Sequence, residues 1–214
     1  LWATVGVHPT DLPASGGFAE TMDELKKLAE YERVVAIGEC GLDYFHVKDP
    51  AAQDEQKELF RAQIALANAV EKPLMLHIRS AYREAYEILK TEMREEGLPA
   101  GRRGDVHFFA GTWEEAKLFL DLGFTLSFTG VLTFTHDYDG VVRQVPLEMI
   151  MAETDCPFAA PVPYRGQRNE PAYVVEVVAA IARIKGLPVG QVGEALVANA
   201  CRVFNFCYNP AHIL

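Results

Sequence analysis

Four strand-like runs in this chain end in a side chain able to hold a cation, and they lie too far apart in sequence to form a local motif. Met149-Ile150-Met151-Ala152 stops at Glu153-Thr154-Asp155, with Cys156-Pro157 following. Val34-Val35-Ala36-Ile37-Gly38 runs into Glu39, Pro73-Leu74-Met75-Leu76 into His77, and Asp105-Val106 into His107. Zinc accepts such a mixed carboxylate–imidazole set at about 2.0–2.2 Å, whereas magnesium and manganese favour the oxygens. A divalent ion held this way lowers the pKa of a water towards about 7 and makes a nucleophile at neutral pH. Two ions bridged by Glu39 would also stabilise both oxygens of a phosphoryl displacement. A lone histidine or glutamate at a strand end is more often an ordinary satisfied polar residue. Four of them at the same level of separate strands point to a metal site of Glu39, His77, His107 and Asp155.

Other residues could serve that site. Residues i and i+2 of a strand share a side, so Glu153 and Asp155 can face one cavity. Glu153 would orient a water or His107, or else bond to backbone. His8, which ends the first apolar run before Pro9, would touch substrate or a water, or simply cap the rim. Asp43 would orient a ligand from behind or cap the turn after Leu42. Arg79 lies two residues beyond His77, and Arg165 and Arg168 follow Asp155; guanidinium forks suit phosphate oxygens. Tyr164 would stack on a base or pack internally. Arg102 and Arg103 precede a strand at its other end and read as solvated.

Something must position these ends. Strands are expected over residues 1–8, 34–38, 73–79, 105–109, 124–128 and 148–153, from their buried-type apolar runs. Between them lie helical patterns. One begins at Thr21-Met22-Asp23-Glu24, of capping-box form, and another at Asp49-Pro50, with Leu59, Phe60, Ile64 and Ala67 on one stripe. Ser80 caps a third, ending near Glu96, and Thr112-Trp113-Glu114-Glu115 is a second capping box. Residues 131–146 read as a loop with a short helix. Helices are expected over 171–185, 188–197 and 199–206. Alternating strand and helix argues for a parallel sheet with right-handed crossovers. Ligand types on four strand ends favour a barrel mouth over an open sheet, which concentrates its site at one switch point. The expected fold is therefore α/β, a TIM-type (β/α)8 barrel lacking its first one or two strands, because only six strands are legible where such a barrel needs eight and about 250 residues. The run Leu1-Trp2-Ala3 opens inside an apolar stretch, so further residues are expected before Leu1. Nothing divides the chain, and residues 1–214 read as one domain.

The 214 residues are 50% hydrophobic, ample for one core. A net charge of −10 argues against a broad basic surface coating nucleic acid, and it suits carboxylates that gather metal. The four cysteines, Cys40, Cys156, Cys201 and Cys207, show no CxxC spacing. They read as reduced thiols of a cytoplasmic protein, or a nuclear one in a eukaryotic cell. No run of about 18 apolar residues suggests a membrane span, and no membrane partner is expected.

Taken together, these residues resemble the TatD family of metal-dependent deoxyribonucleases in the amidohydrolase superfamily. The resemblance rests on Thr4-Val5-Gly6-Val7-His8-Pro9, Ala36-Ile37-Gly38-Glu39-Cys40-Gly41-Leu42-Asp43-Tyr44, Pro73-Leu74-Met75-Leu76-His77-Ile78-Arg79, Glu153-Thr154-Asp155, and the loop from Ala160 to Pro171. It implies a TIM barrel that hydrolyses DNA phosphodiesters, often from the 3′ end, with divalent ions. In that reading Glu39, His77, His107 and Asp155 are ligands of two ions (Mg2+, Mn2+ or Zn2+). Asp155 acts on the attacking water, assisted by Glu39 and Glu153. His8, Arg79, Tyr164 and Arg165 meet a single-stranded or end-bearing DNA substrate, and the protein acts as a monomer. The family usually opens with Asp-Thr-His-x-His on its first strand, and no such stretch occurs in this chain; Ser80 stands where an aspartate is common. Two other readings remain: a related amidohydrolase acting on a cyclic amide or nucleobase, and a non-catalytic barrel scaffold. No lysine ends a strand, which counts against the first.

Overall fold

The computed structural model describes residues 1–14, 16–94 and 97–206, so Cys207 and the expected helix end at Glu96 lie outside the described residues. The elements are β1 (Ala3–Val5), α1 (Phe18–Ala29), β2 (Val34–Asp43), α2 (Pro50–Val70), β3 (Leu74–Arg79), α3 (Tyr82–Glu92), β4 (Gly104–His107), α4 (Trp113–Asp121), β5 (Thr125–Phe128), α5 (Asp139–Gln144), β6 (Ile150–Ala152), α6 (Val174–Lys185) and α7 (Val189–Phe204). Six strands form one sheet in the order β1-β2-β3-β4-β5-β6, each pair parallel. A doubly wound sheet would reverse its strand order at a switch point. This order never reverses, which makes the sheet an arc of a (β/α) barrel, with β1 and β6 as its edges.

The alternation of side chains sets which residues reach the mouth. On β3, Leu74, Leu76 and Ile78 are buried, while Met75, His77 and Arg79 take the other face. Leu76, Val106, Leu126 and Ile150 are fully buried, as are Phe60, Phe119 and Phe124 in the same apolar cluster. On the opposite file Asp105, Thr125 and Ser127 are buried polar residues. Registers His77↔His107 and Asp43↔Arg79 bring the ends of β2, β3 and β4 to one level.

α7 closes the other end. Asn199, 2% exposed, donates through Nδ2 to Leu147 O (2.9 Å) and Ile150 O (2.8 Å). Its Oδ1 accepts from Arg202 Nη1 at 3.0 Å, and Arg202 Nε donates to Gly101 O at 3.2 Å. Beyond α7, Phe206 stacks on Trp2 next to β1. The helix thus ties the entry to β6 to the entry to β4. No helix among the described residues is long and apolar enough to cross a membrane.

Several local expectations are corrected. α1 starts at Phe18 rather than at the Thr21 box, because the Thr21 N–H is already spent on Gly17 O at 3.0 Å. Ser80 does not cap α3; it sits at φ +57, and Ala81 holds the cap position without a side-chain bond. The two helices expected over 188–197 and 199–206 are one, since Val192, Leu196, Asn199 and Val203 keep one buried face through the supposed break. β2 runs on to Asp43 instead of stopping at Gly38. β1 is largely exposed rather than buried, because among the described residues only β2 pairs with it. Arg103 is not simply solvated, as its Nε donates to Leu98 O.

Asn199→Ala strands two carbonyls at the base of β6. The loss expected is about 2–4 kcal/mol, a fall in Tm on the order of 10 °C, read by calorimetry; a fall under about 2 °C would mean that α7 is not held this way.

Candidate metal centre

Glu39 sits in an irregularity of β2. Ile37 pairs with Leu74 and Cys40 with Leu76, so Gly38 and Glu39 together face Met75 alone. Such a bulge re-aims a side chain, and bulges recur beside active sites. It is possible only because glycines flank it. At Gly38 (φ +143) a Cβ would lie 2.2 Å from Met75 O, and at Gly41 (φ +146) 2.0 Å from His77 O. Both force the backbone of β2 against that of β3.

The Glu39 carboxylate then meets three imidazoles. Its Oε1 lies 2.7 Å from His77 Nδ1, 3.5 Å from His107 Nε2 and 3.7 Å from His8 Nε2. His8 Nε2 and His77 Nδ1 are 3.1 Å apart, and Asp155 Oδ1 is 3.5 Å from His107 Nε2. These groups line one cavity of about 760 Å³ together with Arg79, Ser80, Tyr82, Phe108 and Phe158. The structure therefore brings together Glu39, His77, His107, Asp155, His8 and Arg79. Glu153 stands behind His107. Tyr164 and Arg165 sit apart: Tyr164 stacks on Tyr173 at 3.8 Å, and Arg165 lies over Phe134 at 3.8 Å while donating to Ala160 O.

His77 and His107 each have a carboxylate behind the ring. His107 Nδ1 bonds to Glu153 Oε2, leaving Nε2 aimed at Glu39 and Asp155. His77 Nε2 lies 3.2 Å from Asp43 Oδ2, leaving Nδ1 at Glu39. This pairing fixes the tautomer and raises the basicity of the facing nitrogen. Asp43 is held in turn by the N–H groups of Phe45 (2.9 Å) and His46 (2.8 Å) and by His46 Nδ1. It fills both roles the sequence left open, turn cap and orienting partner.

Two residues that sequence reasoning missed come from α2. Gln56 and Gln63, each 1% exposed, lie in the same stripe as Leu59, Phe60, Ile64 and Ala67. Gln63 accepts from Val7 N (2.8 Å) and donates to Val7 O (3.2 Å), setting the chain just before His8. Gln56 accepts from Asp43 N (3.0 Å) and donates to Asp43 O (3.3 Å). Their signal was present: two polar residues seven apart in an apolar stripe. Asn169 was missed as well. It donates to Thr154 O and Phe158 O, both at 2.6 Å, bracing the loop around Asp155. Asp155 (φ +54), Phe108 (φ +47) and Ser80 (φ +57) are non-glycine residues in the left-handed region, all at the mouth, where such strain is characteristic of functional sites.

The charge balance favours a cation. Burial raises the Glu39 pKa, but the hydrogen bond from His77 and the charges of His107, His77 and His8 outweigh it and hold the carboxyl below its ordinary value. Burial works against a charge on His107, yet Asp155, Glu153 and Glu39 around it raise its pKa to about 11. Burial first and then His77 lower that of His8. Asp105, fully buried beneath the site, is pushed up to about 7 by burial and then by Glu153. Three carboxylates thus draw a proton onto an imidazole, and a divalent ion is the other charge that answers the same demand. His8, Glu39 and His77 place one donor atom each within 4.8 Å of one another, a spacing that fits an ion between them. The donor set fits a metal.

Comparison with known proteins agrees. Residues 1–205 match the family model described as TatD related DNase. The chain is 41% identical over 206 residues to the uncharacterized metal-dependent hydrolase YabD of Bacillus subtilis, covering 95% of this chain and 77% of that protein. It is 33% identical over 212 residues to a protein of Pantoea ananatis named 3′-5′ ssDNA/RNA exonuclease TatD, covering 95% and 77%. The crystal structure of YJJV, a TatD homologue from Escherichia coli K12, superposes with a TM-score of 0.84 at 28% identity, covering 97% of this chain and 78% of the other. A match over nearly the whole chain, joined to a metal-ready mouth on a parallel barrel arc, places this chain in the TatD family of metal-dependent hydrolases.

Proposed function

We propose that the protein hydrolyses DNA phosphodiesters, removing nucleotides from the 3′ end of single strands, with one or two divalent ions (Mg2+, Mn2+ or Zn2+) held at Glu39, His77, His107 and Asp155. The observation that carries this reading is the coincidence, in one cavity, of that donor set with Arg79, a guanidinium beside a cation site. The single-strand and 3′ polarity are taken from the name of the Pantoea ananatis relative. Glu39 stands between His8 and His77 on one side and His107 and Asp155 on the other, so these residues would hold one ion or two. Residues 1–214 act as one barrel-type hydrolase domain, working as a monomer inside the cell.

A bound divalent ion supplies Lewis acidity towards the phosphodiester and towards water at neutral pH. The protein's own residues do the rest. Glu39 holds its carboxylate between the two groups of donors. Arg79 presents its guanidinium to a phosphate oxygen at the mouth, with its face on the Phe45 ring at 4.2 Å. Asp155, within the cavity and set by its loop, accepts the proton of the attacking water. Glu153 and Asp43 keep His107 and His77 aimed. His8 stands beside the incoming water or substrate. Tyr164 and Arg165, outside the main cavity, would meet the strand further along. A cyclic-amide hydrolase is disfavoured because no lysine is found among the residues lining the cavity.

Glu39→Ala and His77→Ala should each abolish Mn2+-dependent release of nucleotides from a single-stranded oligonucleotide, as should EDTA on the wild type. Release at the wild-type rate in either variant, or in EDTA, contradicts the assignment. Arg79→Ala should raise KM about tenfold and reduce the slope of log KM against log salt by roughly one ion. Arg165→Ala, whose guanidinium already bonds to Ala160 O, should have the smaller effect. The reverse order would place the phosphate contact on the loop instead of the mouth.

A further inference from the structure

β5 carries none of the expected ligands, yet its Ser127 reaches the site. The side chain points to the same file as Thr125 and is 3% exposed. Its hydroxyl donates to Glu153 Oε1 at 2.6 Å. The Phe108 N–H donates to the same oxygen at 2.6 Å, and Phe108 takes φ +47 there, a conformation that side-chain-bearing residues seldom adopt. The other oxygen, Oε2, bonds to His107 Nδ1. Glu153 is thus fixed at both ends of its carboxylate, one end by β5 and β4 and the other by the imidazole.

We propose that Ser127 is a positioning residue of the metal centre, acting through Glu153 on His107; this rests on the reading of His107 as a ligand. Physically, a glutamate has three rotatable bonds, and its terminal torsion is broad. Nothing in its own backbone would hold Oε2 against Nδ1. Ser127 and the Phe108 amide remove that freedom by occupying Oε1, and a neutral donor to a carboxylate is among the stronger hydrogen bonds. With Nδ1 engaged, the ring can offer only Nε2, which faces Glu39 and Asp155, each at 3.5 Å. The hydroxyl has other acceptors in reach, Val106 O at 3.5 Å and the buried Asp105 carboxyl, but the Glu153 oxygen is held at 2.6 Å. Outer partners of ligating histidines are typically worth about 10–100-fold in metal affinity.

The test is Mn2+ binding, measured by calorimetry on the full chain without DNA, with thermal unfolding as a check on folding. Ser127→Ala should weaken Mn2+ binding by about tenfold, and Ser127→Thr, which keeps the hydroxyl, should restore it to within about threefold. Ser127→Cys, close in size but a weak donor, should lose affinity as alanine does and serves if the alanine variant fails to fold. In a Glu153→Ala background the same Ser127→Ala change should cost less than about twofold, because the path of its action is gone. Unchanged Mn2+ affinity in a folded Ser127→Ala, or the full tenfold loss in the Glu153→Ala background, overturns the proposal. His107→Ala separates the two levels. If it loses Mn2+ while Ser127→Ala does not, the ligand reading stands and the role of Ser127 falls; if it binds Mn2+ like wild type, both fall.

Discussion

One oxygen of Glu39 lies within 3.7 Å of nitrogens from three imidazoles, each borne by a different strand or strand end. Carboxylates and imidazoles crowd together in a half-buried pocket only if positive charge is shared among them. Asp155, Glu153 and Glu39 raise the pKa of His107, so positive charge is favoured among them. The arrangement is costly as a mere structural device and apt as a cation seat. Much of the remaining design consists of holding these few atoms still: Glu153 and Asp43 behind the imidazoles, Gln56 and Gln63 behind the strand ends, Asn169 across the loop after β6.

The barrel arc supplies the convergence. Parallel strands in unbroken order bring their C-terminal ends to one rim, and register places His77 beside His107. Glu39 lies deepest inside its strand, since β2 runs on to Asp43. The bulge at Gly38-Glu39 and the tight approach at Gly41 bring its carboxylate to the level of the others. At the opposite end, α7 binds the entries to β4 and β6, so the end that does chemistry and the end that gives stability are separate.

The sequence made the strand–helix alternation legible, and with it the barrel class, because four of the strand-like runs lead into a polar ligand type. His77, His107 and Asp155 announce themselves this way. Glu39 was found for a partly mistaken reason: β2 seemed to end there, whereas it continues to Asp43. Bulges follow from backbone pairing and leave only their glycines in the sequence. The Thr21 box misled because the same residue spacing also occurs inside a helix. The break proposed between residues 197 and 199 had no glycine or proline to support it, and α7 runs straight through. Buried polar partners such as Gln56, Gln63 and Ser127 were overlooked because their meaning depends on contacts far away in the chain. The loop residues Tyr164 and Arg165 pack on Tyr173 and Phe134, outside the cavity that Arg79 lines, a placement that depends on contacts their spacing from Asp155 does not show.

Crystals soaked in Mn2+ and measured at the manganese absorption edge would address the central claim most directly. The account predicts an anomalous peak about 2.0–2.3 Å from a Glu39 carboxylate oxygen and from a nitrogen of His77 or His107, as expected for a coordinated transition ion. Strong Mn2+ peaks confined to other acidic surfaces, with the space between residues 39, 77, 107 and 155 filled only by water, would contradict it.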